Sequence, residues 1–316
     1  AWLWPGHANS LYDRVLLTLS MVLLIFGFIM VTSASLPTAE KLTGNPFHFA
    51  IRHTVYVIAG LIVMLVTLAI PTQLWQRHSG KLLLTGLGML VLVLLVGHSV
   101  NGAQRWIKIG PITIQVAELA KLFFYIYMAS YLSRREEEIR EATKGFIKPL
   151  VLLFIAAVLL LMQPDFGTVA VMSATTIAML FLAGAKLWQF FGVFLTCVLA
   201  LILLIIVEPY RMQRMLTFLE PEKDPFGAGY QLMQSLIAFG QGQFSGLGLG
   251  NSIQKLQYLP EAHTDFIMSV VAEELGFIGV VSVIVLVLML VSRALVIGRR
   301  CLLINHRYGG YLAYGI

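Results

Sequence analysis

Long runs without charge restrict this chain more than any other feature. Six stretches, 15–39, 53–76, 82–104, 166–185, 187–207 and 275–292, contain no Asp, Glu, Lys or Arg. A helix needs about 20 mostly apolar residues to cross the hydrocarbon core of a bilayer. Two weaker runs join them: 149–164, extended by Phe146 and Ile147, and 109–133, apolar except for Glu118 and Lys121. The sequence therefore predicts an all-α, polytopic helical membrane protein, a single integral-membrane domain over 1–316. Its spans are expected near 15–35, 53–72, 82–100, 112–132, 146–163, 167–184, 187–207 and 272–293, with another opening at 308.

Composition supports this and removes the alternatives. Of 316 residues, 58% are hydrophobic and 12% charged, and the mean hydropathy is +0.84. A soluble domain carries about 25% charged residues, so an ordinary cytosolic enzyme is excluded, as is a disordered or fibrous chain. The first residues lack a basic start, an apolar core and a cleavage site, so the first run is expected to stay as a span. The net charge is +6, but no block of five or more basic residues occurs, so no nucleic-acid partner is expected. Cys197 and Cys301 show neither disulfide nor metal spacing.

Basic residues in short loops set orientation. A cytoplasmic N-terminus puts thirteen of the 22 Lys and Arg on inner segments and eight on outer ones. Four of those eight, Arg211, Arg214, Lys223 and Lys255, sit in one long outer segment, which weighs little. That segment, 208–274, also holds eight of the 16 acidic residues. Connections this long are commonly functional. Within it, 230–239 reads as a short or re-entrant helix, and 240–250 ("GQGQFSGLGLG") as a turn where backbone can approach closely.

Several residues carry chemistry. Glu118 and Lys121, three apart, share a helix face and can pair; at membrane depth they line a polar cavity for a head group or fix helix packing. "LPEAHTDFI" packs Glu261, His263 and Asp265 just ahead of a span. A partly desolvated carboxylate there is a usable general base; the alternatives are a weak metal site or a loop in which Asp265 caps the next helix. Of Glu273 and Glu274, at least one should avoid lipid. Arg211 and Arg214 suit a diphosphate, as does Lys255, or the two arginines snorkel to the interface. Asp165, in "QPDFG", reads as a turn residue.

These residues fall in motifs. "GLGLGNSIQKLQYLPEAHTDFIMSVVAEELG" (246–276) resembles the signature of the SEDS family (shape, elongation, division, sporulation). "GAQRWIKIG" (102–110), "QVAELAK" (115–121), "QPDFGT" (163–168) and "DPFGAGYQLMQSLIAFGQG" (224–242) are similar to its other marks. "YDR" at 12–14, "MVTSAS" at 30–35 and "FLAGAKLWQF" at 181–190 are most like the cell-division members. Val116 stands where the family usually has proline.

The resemblance implies a ten-span fold, of which this sequence holds eight spans and the opening of a ninth. It implies a peptidoglycan glycosyltransferase that polymerises lipid II into β-1,4 glycan with inversion, undecaprenyl diphosphate leaving, for septal wall synthesis in cell division. It assigns the catalytic role to Asp265 and the membrane-embedded pair to Glu118 and Lys121. Glu261, His263, Arg211, Arg214 and Lys255 stand as substrate-binding candidates. No cofactor is required by this reading, with a divalent cation, magnesium or manganese, left open. The implied partners are lipid II, the bilayer, and a single-span class B penicillin-binding transpeptidase of the divisome packing near 275–316, with its activating membrane proteins. The implied location is the bacterial cytoplasmic membrane at the septum, N-terminus inside. Two other readings use the same residues: a lipid II flippase, which has no use for Asp265 as a base, and a divisome scaffold.

Overall fold

The computed structural model describes residues 12–100, 103–109, 112–207, 217, 220–224, 226, 227 and 229–316. In chain order the helices are α1 (Arg14–Thr43), α2 (His48–Ala69), α3 (Thr72–Val96), α4 (Val116–Arg134), α5 (Glu136–Glu141), α6 (Thr143–Leu161), α7 (Phe166–Leu182), α8 (Leu187–Val207), α9 (Tyr230–Gly242), α10 (Ile267–Leu303) and α11 (Arg307–Gly315). Among the described residues, α1, α2, α3, α6 and α10 are long and apolar enough to cross a membrane. Much of their apolar surface faces outward, most fully in α2, where Ile51, Val55, Ile58, Ile62 and Val66 are all exposed and only Ala50 is buried. Water would penalise such a surface, and hydrocarbon does not. The molecule is thus a multi-span helical membrane protein.

Between α3 and α4 the structure departs from the expected spans. The sequence predicts spans to residue 100 and from 112, but α3 ends at Val96 and α4 begins at Val116. Residues between them form an antiparallel sheet of β1 (His98–Val100), β2 (Ala103–Ile109) and β3 (Ile112–Gln115), in the order β1-β2-β3. Trp106 pairs with Gln115, Ile107 with Ile114 and Lys108 with Thr113. The alternation of β-branched residues, with Asn-Gly and Gly-Pro between strands in the sequence, overrides the apolar average of the window. A proline at the first position of α4 is not needed to start it, since Val116 holds that position and is fully buried.

The chain divides into two compact units, 1–67 with 200–293 and 68–199 with 294–316. In the second, α3 packs on α4 where Gly86 approaches Ala120, and α4 buries Phe124, Met128 and Leu132. Arg105 of β2 donates to the carbonyls of Gln163 and Pro164, while Asp165 caps α7 through Thr168. The first unit holds the acidic loop. Its core joins Met30 and Ala34 of α1 to Leu259, Ala262, Val270 and Val271. Asp13 accepts from Leu16 N at the start of α1. It also takes two hydrogen bonds from Arg293, at 3.0 and 2.6 Å, tying α1 to α10.

Candidate active site

The site begins with a helix that breaks. At Gly276, α10 has φ 66° and ψ −162°, a backbone conformation open almost only to glycine. In an unbroken helix Phe277 and Ile278 would donate to the carbonyls of Glu273 and Glu274. Here those carbonyls accept instead from Leu247 N (2.9 Å) and Gly248 N (3.0 Å). Phe277 N and Ile278 N go to the carbonyls of Gln243 (3.0 Å) and Phe244 (3.3 Å). The Gly-rich 243–248 segment thus inserts into the broken helix and exchanges four backbone hydrogen bonds with it. A buried or lipid-facing break is tolerated only when such groups are re-paired. The close approach needs glycine at 246, where a Cβ would overlap the Glu274 carbonyl.

The two carboxylates on this turn are both fully buried, at 0% exposure. Neighbouring residues on a helix point about 100° apart, so they reach different partners. Glu273 accepts from Ile253 N at 2.9 Å, Gln254 N at 3.2 Å and the Ser252 hydroxyl. It thereby caps the turn of π-helix at Gln254–Tyr258. Glu274 takes Lys255 Nζ at 2.6 Å and the Ser33 hydroxyl at 2.9 Å, and Lys255 Nζ also donates to Ser33 Oγ at 3.1 Å. Lys255 is only 5% exposed. Its charge is answered inside the protein, in contrast to the anion-binding role the sequence suggested for it.

Beyond this anchor the chain runs over the tip that carries Asp265. Leu259 and Ala262 turn inward. Glu261 adopts φ 54°, and its carbonyl accepts from Thr264 N and Phe266 N, closing a tight turn. Its carboxylate accepts from the Thr264 hydroxyl at 2.8 Å. The His263 ring stacks on Phe49 of α2, centroids 5.2 Å apart, with its Nδ1 buried and without a partner among the described residues. Asp265 is exposed. It does not cap α10, which starts at Ile267, and no described residue pairs with its carboxylate. A helix-capping role is therefore not realised, and the side chain is free to meet a ligand.

The other candidates fall elsewhere. Glu118 and Lys121 pair at 2.8 Å on α4 of the second unit, with side chains 55% and 27% exposed, so this pair is open to solvent or ligand. Arg211 and Arg214 lie outside the described residues. Among the described residues no three His, Cys, Asp or Glu side chains come together as a metal cluster, and Glu261 is engaged by Thr264. These donors do not build a cage for a divalent cation, and no step below is routed through one. Sequence reasoning missed Ser33 and Ser252. Ser33 sits mid-span in "MVTSAS", and a hydroxyl in so apolar a run was the available signal.

A bundle of apolar helices whose 252–266 loop is held by two buried carboxylates and carries an exposed one at its tip defines a polytopic membrane protein. The chain matches the profile of the FtsW/RodA/SpoVE family, described as cell cycle protein, over residues 13–316, and it belongs to that family. It is 79% identical over 315 residues to a probable peptidoglycan glycosyltransferase FtsW of Idiomarina loihiensis, covering 100% of this chain and 77% of that protein. It is 57% identical to one of the same description from Alteromonas naphthalenivorans, covering 98% and 60%. One from Escherichia coli O157:H7 is 53% identical, covering 97% and 74%. Among solved structures it superposes on a chain of a peptidoglycan synthase complex that coordinates polymerization and crosslinking. The TM-score there is 0.76 at 25% identity, covering 99% of this chain and 84% of that one. The rod shape determining protein RodA of Thermus thermophilus has the same fold, with TM-score 0.67 at 24% identity, covering 98% and 82%.

Proposed function

We propose that this chain is a peptidoglycan glycosyltransferase that polymerises lipid II during septal wall synthesis. It is read as working in the bacterial cytoplasmic membrane, with the N-terminus inside and the 208–274 segment outside. The names of its relatives support the activity, and the excess of basic residues on the assigned inner segments supports the orientation. The chemical part is carried by one observation. Asp265 is exposed and has no partner among the described residues, whereas Glu261, Glu273 and Glu274 around it are engaged.

In this reading Asp265 takes the proton of the acceptor sugar's 4-hydroxyl as that oxygen attacks the anomeric carbon of the donor. The bond from that carbon to the diphosphate breaks, and undecaprenyl diphosphate leaves with the electron pair. An α-linked donor then gives a β-1,4 bond by inversion, so the base touches only the acceptor and no covalent intermediate forms. The leaving group is already anionic, so positioning and electrostatics supply most of the rate. Arg211 and Arg214 are assigned to the diphosphate by their chemistry, and the solvent-open Glu118–Lys121 pair to a polar head group. Glu261 and His263 flank the acceptor by their place in the loop. The family resemblance assigns as partner a single-span class B penicillin-binding transpeptidase packing near 275–316, with the divisome's activating membrane proteins, and likeness to a chain of a complex that coordinates polymerization and crosslinking supports a crosslinking partner.

The test is polymerisation of fluorescent lipid II by the full-length protein with that transpeptidase, wild type beside Asp265→Asn. Wild-type ladders with a loss of about 10²–10⁴-fold in the variant are expected. Ladders from both would move the base to another carboxylate such as Glu261. Ladders from neither, with both proteins folded and partner-bound, would favour the flippase or the scaffold.

A further inference from the structure

Glu273 and Glu274 are too deeply buried to touch a substrate, yet both are spent on the segment that leads to Asp265. We propose that they are positioning residues, pinning the start of the 252–266 loop to the helix on which that loop ends, so that Asp265 is presented in one place. The inference rests on the reading of Asp265 as the base.

The loop tip is seated by Leu259 and Ala262 in the core they share with α1 and by His263 on Phe49 of α2, apolar contacts that set no hydrogen-bond register with α10. Its internal bonds, from Thr264 N and Phe266 N to the Glu261 carbonyl, fix the shape of the turn but not its placement on α10. The polar part of that placement comes from 252–255, where three donors converge on Glu273 and where Lys255, Glu274 and Ser33 close a ring of hydrogen bonds. Ser33 brings α1 into the same ring, so the loop is referenced to two helices. A buried ion pair adds little net stability over a well-packed apolar replacement but enforces one geometry. A base misplaced by about 1 Å can lose on the order of 100-fold in rate.

Full-length protein with its transpeptidase is assayed for lipid II polymerisation, kcat and KM being measured beside the melting temperature of each sample. Glu273→Gln and Glu274→Gln are expected to lower kcat about 10- to 100-fold with KM changed by less than about threefold. The double variant Lys255→Met with Glu274→Leu removes both buried charges and is expected to recover the melting temperature but not kcat. Adding Asp265→Asn to Glu274→Gln should cost no more than Asp265→Asn alone, because the two act as a unit. Recovery of kcat together with melting in the double variant would make the network merely structural and overturn the proposal. So would folded Glu273→Gln and Glu274→Gln proteins with wild-type kcat. If Glu274→Gln fails to fold, the charge-free double variant decides alone. Wild-type ladders from Asp265→Asn by itself would instead overturn the reading of the base, a result separable from the others because it involves neither glutamate.

Discussion

Replacing Gly276 by alanine tests the helix break directly. The conformation at φ 66° and ψ −162° costs a side-chain-bearing residue about 1–3 kcal/mol. The new Cβ would also overlap Gly246 N and lie 2.6 Å from the Phe244 carbonyl. Both are backbone atoms, so relief requires the 243–248 segment to withdraw. Withdrawal loosens the four exchanged bonds of Leu247, Gly248, Phe277 and Ile278, each contributing about 0.5–1.5 kcal/mol. Losing half of them brings the total to about 2–6 kcal/mol, a drop in melting temperature on the order of 10 °C. Gly240→Ala is the control: it lies in α9 with nothing within 4 Å of its Cβ, so it should be neutral or slightly stabilising. Detergent-solubilised protein would be melted, and amide exchange followed at Leu247 and Gly248, which should become unprotected only in Gly276→Ala. A Gly276→Ala protein that melts with the wild type and keeps those amides protected would refute the exchange.

Two further outcomes are expected. Arg293 donates to Asp13 and holds its carboxyl below the usual carboxylate range. A lowered native value means stability that is present above the unfolded pKa of about 3.9 and is lost as pH falls through the native one. Wild type should therefore lose more stability than Asp13→Asn between about pH 5 and pH 2 in an acid melting series, and parallel curves would sink the idea. Lys121→Met removes a partly exposed pair, so it should change stability by less than about 1 kcal/mol. If the pair meets an anionic head group, the same variant should lose about 10- to 100-fold in kcat/KM for lipid II, and unchanged kinetics would leave the pair a packing device.

Much of the helical architecture is legible because lipid imposes it: an uncharged run of about 20 residues has few other uses. The pairing of Glu118 with Lys121 follows from spacing alone, and Glu273 and Glu274 had to avoid lipid whatever their partners. What escaped the sequence was set by contacts distant along the chain. Ser33 and Glu274 are 241 positions apart, and nothing local says they meet. The 98–115 sheet was read as span ends because a hydropathy window averages over an alternation that only a strand would use. Lys255 read as a free cation because sequence shows a charge without its burial.

On the proposed reading of Asp265, the loop also gives a reason for a base at a membrane surface to have buried charge behind it. A catalytic carboxylate must stay exposed and unpaired to reach its substrate, so it cannot contribute to its own placement. Its neighbours Glu261 and His263 are committed to a tight turn and to stacking on Phe49; they shape the tip and rest it on α2, and leave its hydrogen-bonded link to α10 to the 252–255 segment. Regular secondary structure is no alternative, since a continuous helix through 243–278 would carry the Asp265 region away from the turn that supports it. The chain instead breaks α10 at Gly276, fills the break with the 243–248 backbone, and commits two adjacent carboxylates to the segment 252–255. On that reading rigidity is built on the side of the loop away from substrate, and Asp265, with no partner among the described residues, is left for the chemistry.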